Sequence, residues 1–138
     1  MPLRRNAKVD LLKTVPLFAR CSKKELEAIA SEADELELPA GRDLAIEGAS
    51  GREFIVLVTG AADVRRKGRR INTLGGGDFL GEIALLTGSP RTATVTSSSP
   101  CHLLVLTDRA FRRVTAAMPS VNEKVMQALA ERLAADAV

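Results

Sequence analysis

Between Glu35 and Thr107 the chain keeps interrupting its own hydrophobic runs, with a glycine or proline arriving about every ten residues. The runs are Leu36 to Leu38, Leu44 to Ile46, Phe54 to Val58, Ala62 to Val64, Ile71 to Leu74, Thr92 to Thr96 and Leu103 to Leu106. Pro39-Ala-Gly41, Gly48-Ala-Ser-Gly51, Gly60, Gly68, Gly75-Gly-Gly-Asp78 and Gly88-Ser-Pro90 separate them. Runs this short cannot bury a helical face, but they suit strands joined by tight turns. The pattern predicts seven or eight short strands in a sandwich or a barrel.

The flanks have a different period. Before the strands, Leu11, Leu12, Val15, Leu17 and Phe18 precede a Ser22-x-x-Glu25 capping box, and Leu26, Ile29, Ala30 and Ala33 share one face of the helix it opens. After them, Asp108 is placed to cap a helix carrying Ala110, Phe111, Val114 and Ala117, and Pro119 is placed to start another. Val121, Val125, Leu129 and Leu133 form one apolar stripe on that last helix, which must pack on the barrel, a ligand or a second copy. A single domain accounts for all 138 residues: a helical lead-in over 1–34, strands over 35–107 and C-terminal helices over 108–138.

Several function classes are excluded at this level. No apolar run reaches membrane-spanning length, and no secretory h-region follows the basic N-terminus, so a cytoplasmic setting is expected. Cys21 and Cys101 lie in no metal-ligand spacing and read as plain thiols of a reducing compartment. His102 is the only histidine; inside a strand it reads as a structural residue rather than a metal ligand or a base. With no nucleophile paired to a base, no catalytic residue, metal or cofactor is expected. The basic run Arg65-Arg-Lys-Gly-Arg-Arg70 reads as a solvated hairpin tip. Without Trp or Tyr platforms or a helix-turn-helix, it is not assigned to nucleic acid.

The informative stretch is residues 75–95. A triple-glycine loop leads into Gly81-Glu82-Ile-Ala-Leu-Leu, about one turn of helix, which Gly88 and Pro90 end before Arg91. A helix start behind such a loop leaves backbone N–H groups facing outward, and a guanidinium fork nearby matches a phosphate. A carboxylate accepts from a ribose hydroxyl, so Glu82 and Arg91 together point to a nucleotide. Two other glycine-loop readings fail. Glu82-Ile83 stands where a Walker A loop needs Lys-Ser or Lys-Thr, and the surrounding strands form no βαβ unit. Taken singly, Glu82 also suits a first-turn carboxylate and Arg91 a surface arginine.

Gly81-Glu82-Ile-Ala-Leu-Leu followed by Pro90-Arg91-Thr92-Ala93-Thr94-Val95 resembles the phosphate-binding cassette of the cyclic-nucleotide-binding domain family. The likeness extends from Val15-Pro-Leu-Phe18 through Pro39-Ala-Gly41, Glu47-Gly48 and Gly60 to Phe111. It implies a mainly β fold: an eight-stranded jelly-roll β-barrel (a double-stranded β-helix, cupin-like) with N-terminal helices, a short cassette helix and two C-terminal helices. It also implies that Glu82 and the Gly81 N–H bind the ribose 2′-hydroxyl. Arg91 and the N–H groups of Ala84 and Thr92 would hold the cyclic phosphate, with Ile83 and Ala93 completing the ligand-binding set. The purine would lie against Val64, Leu74 and Val95, under a lid carrying Val125, Leu129 and Arg132. The ligand implied is cAMP by preference, with Thr92 permitting cGMP. The output would be a movement of the C-terminal helices, read by an effector domain or partner protein outside this sequence. A free-standing bacterial protein and a homodimer through the last helix are further expectations. The rival reading is a protein- or nucleic-acid-interaction module that keeps the fold without a ligand.

Overall fold

A computed structural model describes residues 3–136, without the side chains of Ile83 and of residues 132–136. In chain order the elements begin with α1 (Arg5–Lys13), a 3₁₀ turn (Pro16–Phe18), α2 (Lys23–Glu32), β1 (Asp34–Leu38), β2 (Asp43–Ala45) and β3 (Glu53–Thr59). There follow β4 (Ala62–Arg66), β5 (Arg69–Leu74), β6 (Phe79–Leu80), α3 (Glu82–Thr87), β7 (Thr94–Ser97), β8 (Cys101–Thr107), α4 (Asp108–Ala117) and α5 (Pro119–Asp136). They fall into two compact units: Asp34–Asp108, and the residues up to Ala33 with those from Arg109 onward. No described helix is long and apolar enough to cross a membrane.

In the helical unit the capping box forms as its residue types require. Ser22 Oγ accepts from the Glu25 N–H at 3.2 Å, and Glu25 Oε1 accepts from the Ser22 N–H at 2.8 Å. Ser22→Ala is expected to lower stability by about 1 kcal/mol, seen as an earlier urea midpoint with an unchanged m-value. Glu25 is itself buried, its carboxylate joined by Ser120 Oγ at 2.6 Å and by Lys124 Nζ, both from α5. Burial alone would raise its pKa, but the bonds from Lys124, Ser120 and Ser22 win and hold it at about 2. Phe18 and Phe111 pack with ring centroids 6.3 Å apart. Val121, Val125 and Leu129 of the α5 stripe are buried, and α5 packs on the 3₁₀ turn. Burial also raises the Cys21 thiol pKa to about 11, and both cysteines are free and buried.

In the β unit the eight strands form two antiparallel sheets, ordered β1-β8-β3-β6 and β2-β7-β4-β5. Leu44, Ile55, Leu57, Val95, Leu103 and Val105 form the core of this unit. The expected jelly roll is present, but its ladders do not join into a closed barrel. Two of the edge strands, β2 and β6, have only three and two residues, and each pairs within its own sheet alone among the described residues. All seven sequence runs overlap strands, with two corrections. β6 lies inside the glycine loop, where Val56 and Ile55 pair with Phe79 and Leu80. Thr92 and Ala93 lie before β7, because the chain there is held by loop and side-chain bonds instead of a ladder. Asp108 does not precede α4 but begins it, its N–H donating to the Arg52 carbonyl at 3.0 Å. His102 is half-buried on β8, with Nε2 2.7 Å from Glu35 Oε2 of β1.

Candidate functional site

The ladder between β6 and β3 sets the start of α3. Asp78 O accepts from the Leu57 N–H at 2.8 Å, and Leu57 O accepts from the Gly77 N–H at 2.7 Å, so the glycine loop is tied down immediately before Phe79. Gly81 then turns the chain into α3 with φ 83, a left-handed conformation that side chains rarely adopt. Its carbonyl accepts the first helical bond from the Leu85 N–H at 3.0 Å. At the other end Gly88, with φ 68, closes the helix by donating to Ala84 O at 2.9 Å. The result is a six-residue helix fixed at both ends, with Glu82 in its first turn.

Arg91 returns to the same place through its backbone. Its N–H donates to Ala49 O at 3.0 Å, and its carbonyl accepts from the Gly48 N–H at 2.8 Å. The side chain runs between two glycines. A Cβ on Gly51 would stand 2.8 Å from Arg91 Nε, and one on Gly81 would collide with Arg91 Nη1 and Glu53 O. Only glycine leaves this slot open. Arg91 Nη2 donates to the Glu53 carbonyl at 2.8 Å, while Nη1 is buried without a hydrogen-bond partner among the described residues. Burial pulls the Arg91 pKa below its ordinary value, opposed by the Glu53 carboxylate. A buried guanidinium with an unmet donor disfavours the empty site and favours an anion that supplies the missing acceptor.

A cavity of about 490 Å³ opens beside this guanidinium. Its lining brings together Gly81, Glu82, Ala84, Arg91, Thr92 and Ala93 from the expected ligand-binding set, and Val64, Leu74 and Val95 from the expected apolar wall. Glu82, Ala84, Arg91, Ala93 and Val95 are buried, Val64 and Leu74 half-buried, and Thr92 exposed. The Ile83 and Arg132 side chains lie outside the described residues. Val125 and Leu129 are buried on α5, in the helical unit.

The sequence reading missed other lining residues. Ile71, Asn72, Phe79 and Leu80 also reach the cavity, as does Arg66 from the basic hairpin. The alternation of the Ile71 run was a usable signal for that strand, but nothing local distinguishes Arg66 from its basic neighbours. No three His, Cys, Asp or Glu side chains stand together as a metal site among the described residues.

A family model described as the cyclic nucleotide-binding domain matches residues 35–117. The cAMP-dependent protein kinase regulatory subunit of Mycosarcoma maydis is 32% identical over 122 residues, covering 82% of this chain and 23% of that protein. The chain spans 23% to 34% of the length of the first curated relatives it matches. Among solved structures, the N-terminal domain of a transcriptional regulator from Streptomyces coelicolor aligns with a TM-score of 0.85 at 28% identity, covering 93% of this chain and 95% of that one. The regulatory domain of Toxoplasma gondii PKA, solved with cAMP, aligns with a TM-score of 0.73 at 30% identity, covering 80% of this chain and 44% of that one.

Proposed function

This chain belongs to the cyclic nucleotide-binding domain family, and on that premise we propose that it binds a cyclic purine nucleotide as a regulatory sensor, cAMP in preference to cGMP. The observation that carries the reading is the buried Arg91 Nη1, unbonded at the wall of a cavity that Glu82 also lines. A singly charged cyclic phosphate supplies the acceptor that this donor lacks, and the Glu82 carboxylate accepts from the ribose 2′-hydroxyl. Val64, Leu74 and Val95 give the purine an apolar face. The cAMP preference draws on relatives named for cAMP and on the Toxoplasma regulatory domain solved with it. Thr92, whose hydroxyl can bridge a phosphate and a guanine amino group, admits cGMP as a second ligand.

Binding is coupled to output if the C-terminal helices contact the nucleotide in one arrangement and not in another, because a ligand shifts an equilibrium only by its differential affinity. Val125, Leu129 and Arg132 are the proposed contacts on α5, and an effector domain or partner protein outside this sequence receives the movement. The buried thiols support a cytoplasmic setting.

A thermal unfolding series with each nucleotide tests the reading. At a hundredfold excess over its dissociation constant, cAMP is expected to add about 2.7 kcal/mol of stability, with cGMP adding less at equal concentration. No shift with either would overturn the sensor reading in favour of an interaction module that keeps the fold without a ligand.

A further inference from the structure

Between Arg91 and the start of β7 the backbone leaves the sheet, and two bonds fix how it crosses the cavity wall. The Gly48 N–H holds Arg91 O at 2.8 Å, which pins the peptide plane between residues 91 and 92. Arg66 Nε holds Thr92 O at 2.9 Å, which pins the next plane, and with it the direction of the Ala93 N–H on the opposite side. With both planes anchored, the backbone of Thr92 is restrained on either side. Arg66 sits where β4 outruns its partner: the β4–β7 ladder ends at the pair Arg65 and Thr94, and the guanidinium supplies the next rung. The neighbouring residue braces the same corner, the Lys67 N–H donating to Glu47 Oε1 at 2.9 Å while the Glu47 N–H donates to Thr94 Oγ1 at 3.0 Å.

We propose that Arg66 is a positioning residue for the nucleotide: it fixes the Thr92–Ala93 peptide against the cavity and so sets Thr92 in place beside the phosphate. This rests on the sensor reading above. Arg65 and Arg70 lie near Asp63, whereas the Arg66 guanidinium bonds a backbone carbonyl of the cavity wall, so one arginine of the hairpin has a different task from these two.

Two variants separate positioning from simple attraction of an anion. Gln carries an N–H donor as many bonds from its Cα as the arginine Nε, without the charge; Met keeps the reach and loses both. Calorimetric titration with cAMP and cGMP is expected to show Arg66→Met binding about fivefold more weakly than wild type and Arg66→Gln within about twofold of it. The ligand-free thermal midpoints should agree, since Arg66 is exposed. Equal weakening in both variants would assign Arg66 to charge attraction and overturn the proposal, as would wild-type affinity in Arg66→Met. Failure of wild type to bind either nucleotide would instead overturn the sensor reading itself, and this inference with it.

Discussion

Arg91→Ala is expected to weaken cyclic-nucleotide binding by about 2 to 5 kcal/mol, roughly thirtyfold to several-thousandfold. The size follows from where the guanidinium sits. Arg91 is 8% exposed and one of its donors has no partner among the described residues, so the site is built around a charge that water screens poorly. Removing it leaves the phosphate buried against backbone N–H groups with no counter-charge. Arg91→Lys should recover only part of the loss, because an ammonium cannot reach Glu53 O and a phosphate oxygen in one plane. The ligand-free protein should behave differently: burial already disfavours this charge, so Arg91→Ala should leave its stability near wild type or raise it. Titration calorimetry of the variant, beside urea unfolding without ligand, checks both halves. Wild-type affinity would mean that the phosphate lies elsewhere.

The second large effect concerns the helical unit. Glu25→Ala is expected to destabilise the protein by about 2 to 3 kcal/mol, because it removes half of the Ser22 capping box together with the bonds from Ser120 and the half-exposed Lys124 ammonium. The same carboxylate predicts a pH dependence. Its folded pKa of about 2 lies below the ordinary carboxylate value of 4.5, so its contribution is complete above the unfolded pKa and is lost as pH falls through 4.5 towards 2. Urea unfolding at pH 7 and at pH 3 should show the gap between wild type and Glu25→Ala narrowing in acid. A gap that stays constant would show that Glu25 carries no such linkage.

What the sequence made legible was whatever is encoded by neighbours in the chain. The Ser22-x-x-Glu25 box, the apolar runs ended by glycine, and the order of Gly81, Glu82 and Arg91 all depend on spacings of a few residues, and all took their expected local form. Long-range partners were not legible. Glu25 read as a capping residue, yet Ser120 and Lys124 lie 95 and 99 residues away, and no local pattern links them to it. β6 escaped notice because two residues carry no period, and only the ladder to β3 makes them a strand. Arg66 looked like one charge among several at a hairpin tip. Its distinction is a bond to a carbonyl 26 residues on, set by where the β4–β7 ladder stops. Two separate sheets and a closed barrel would leave the same alternation in the chain, so closure was beyond the pattern too.

The slot between Gly51 and Gly81 also bears on timing. Held by its two flanking backbones and tethered to Glu53 O, the Arg91 side chain has one place fixed for it without a ligand. An incoming anion would then meet a guanidinium with little ordering left to do, and encounter should depend weakly on which cyclic nucleotide is offered. Selectivity between the two purines would then show itself in how long each one stays.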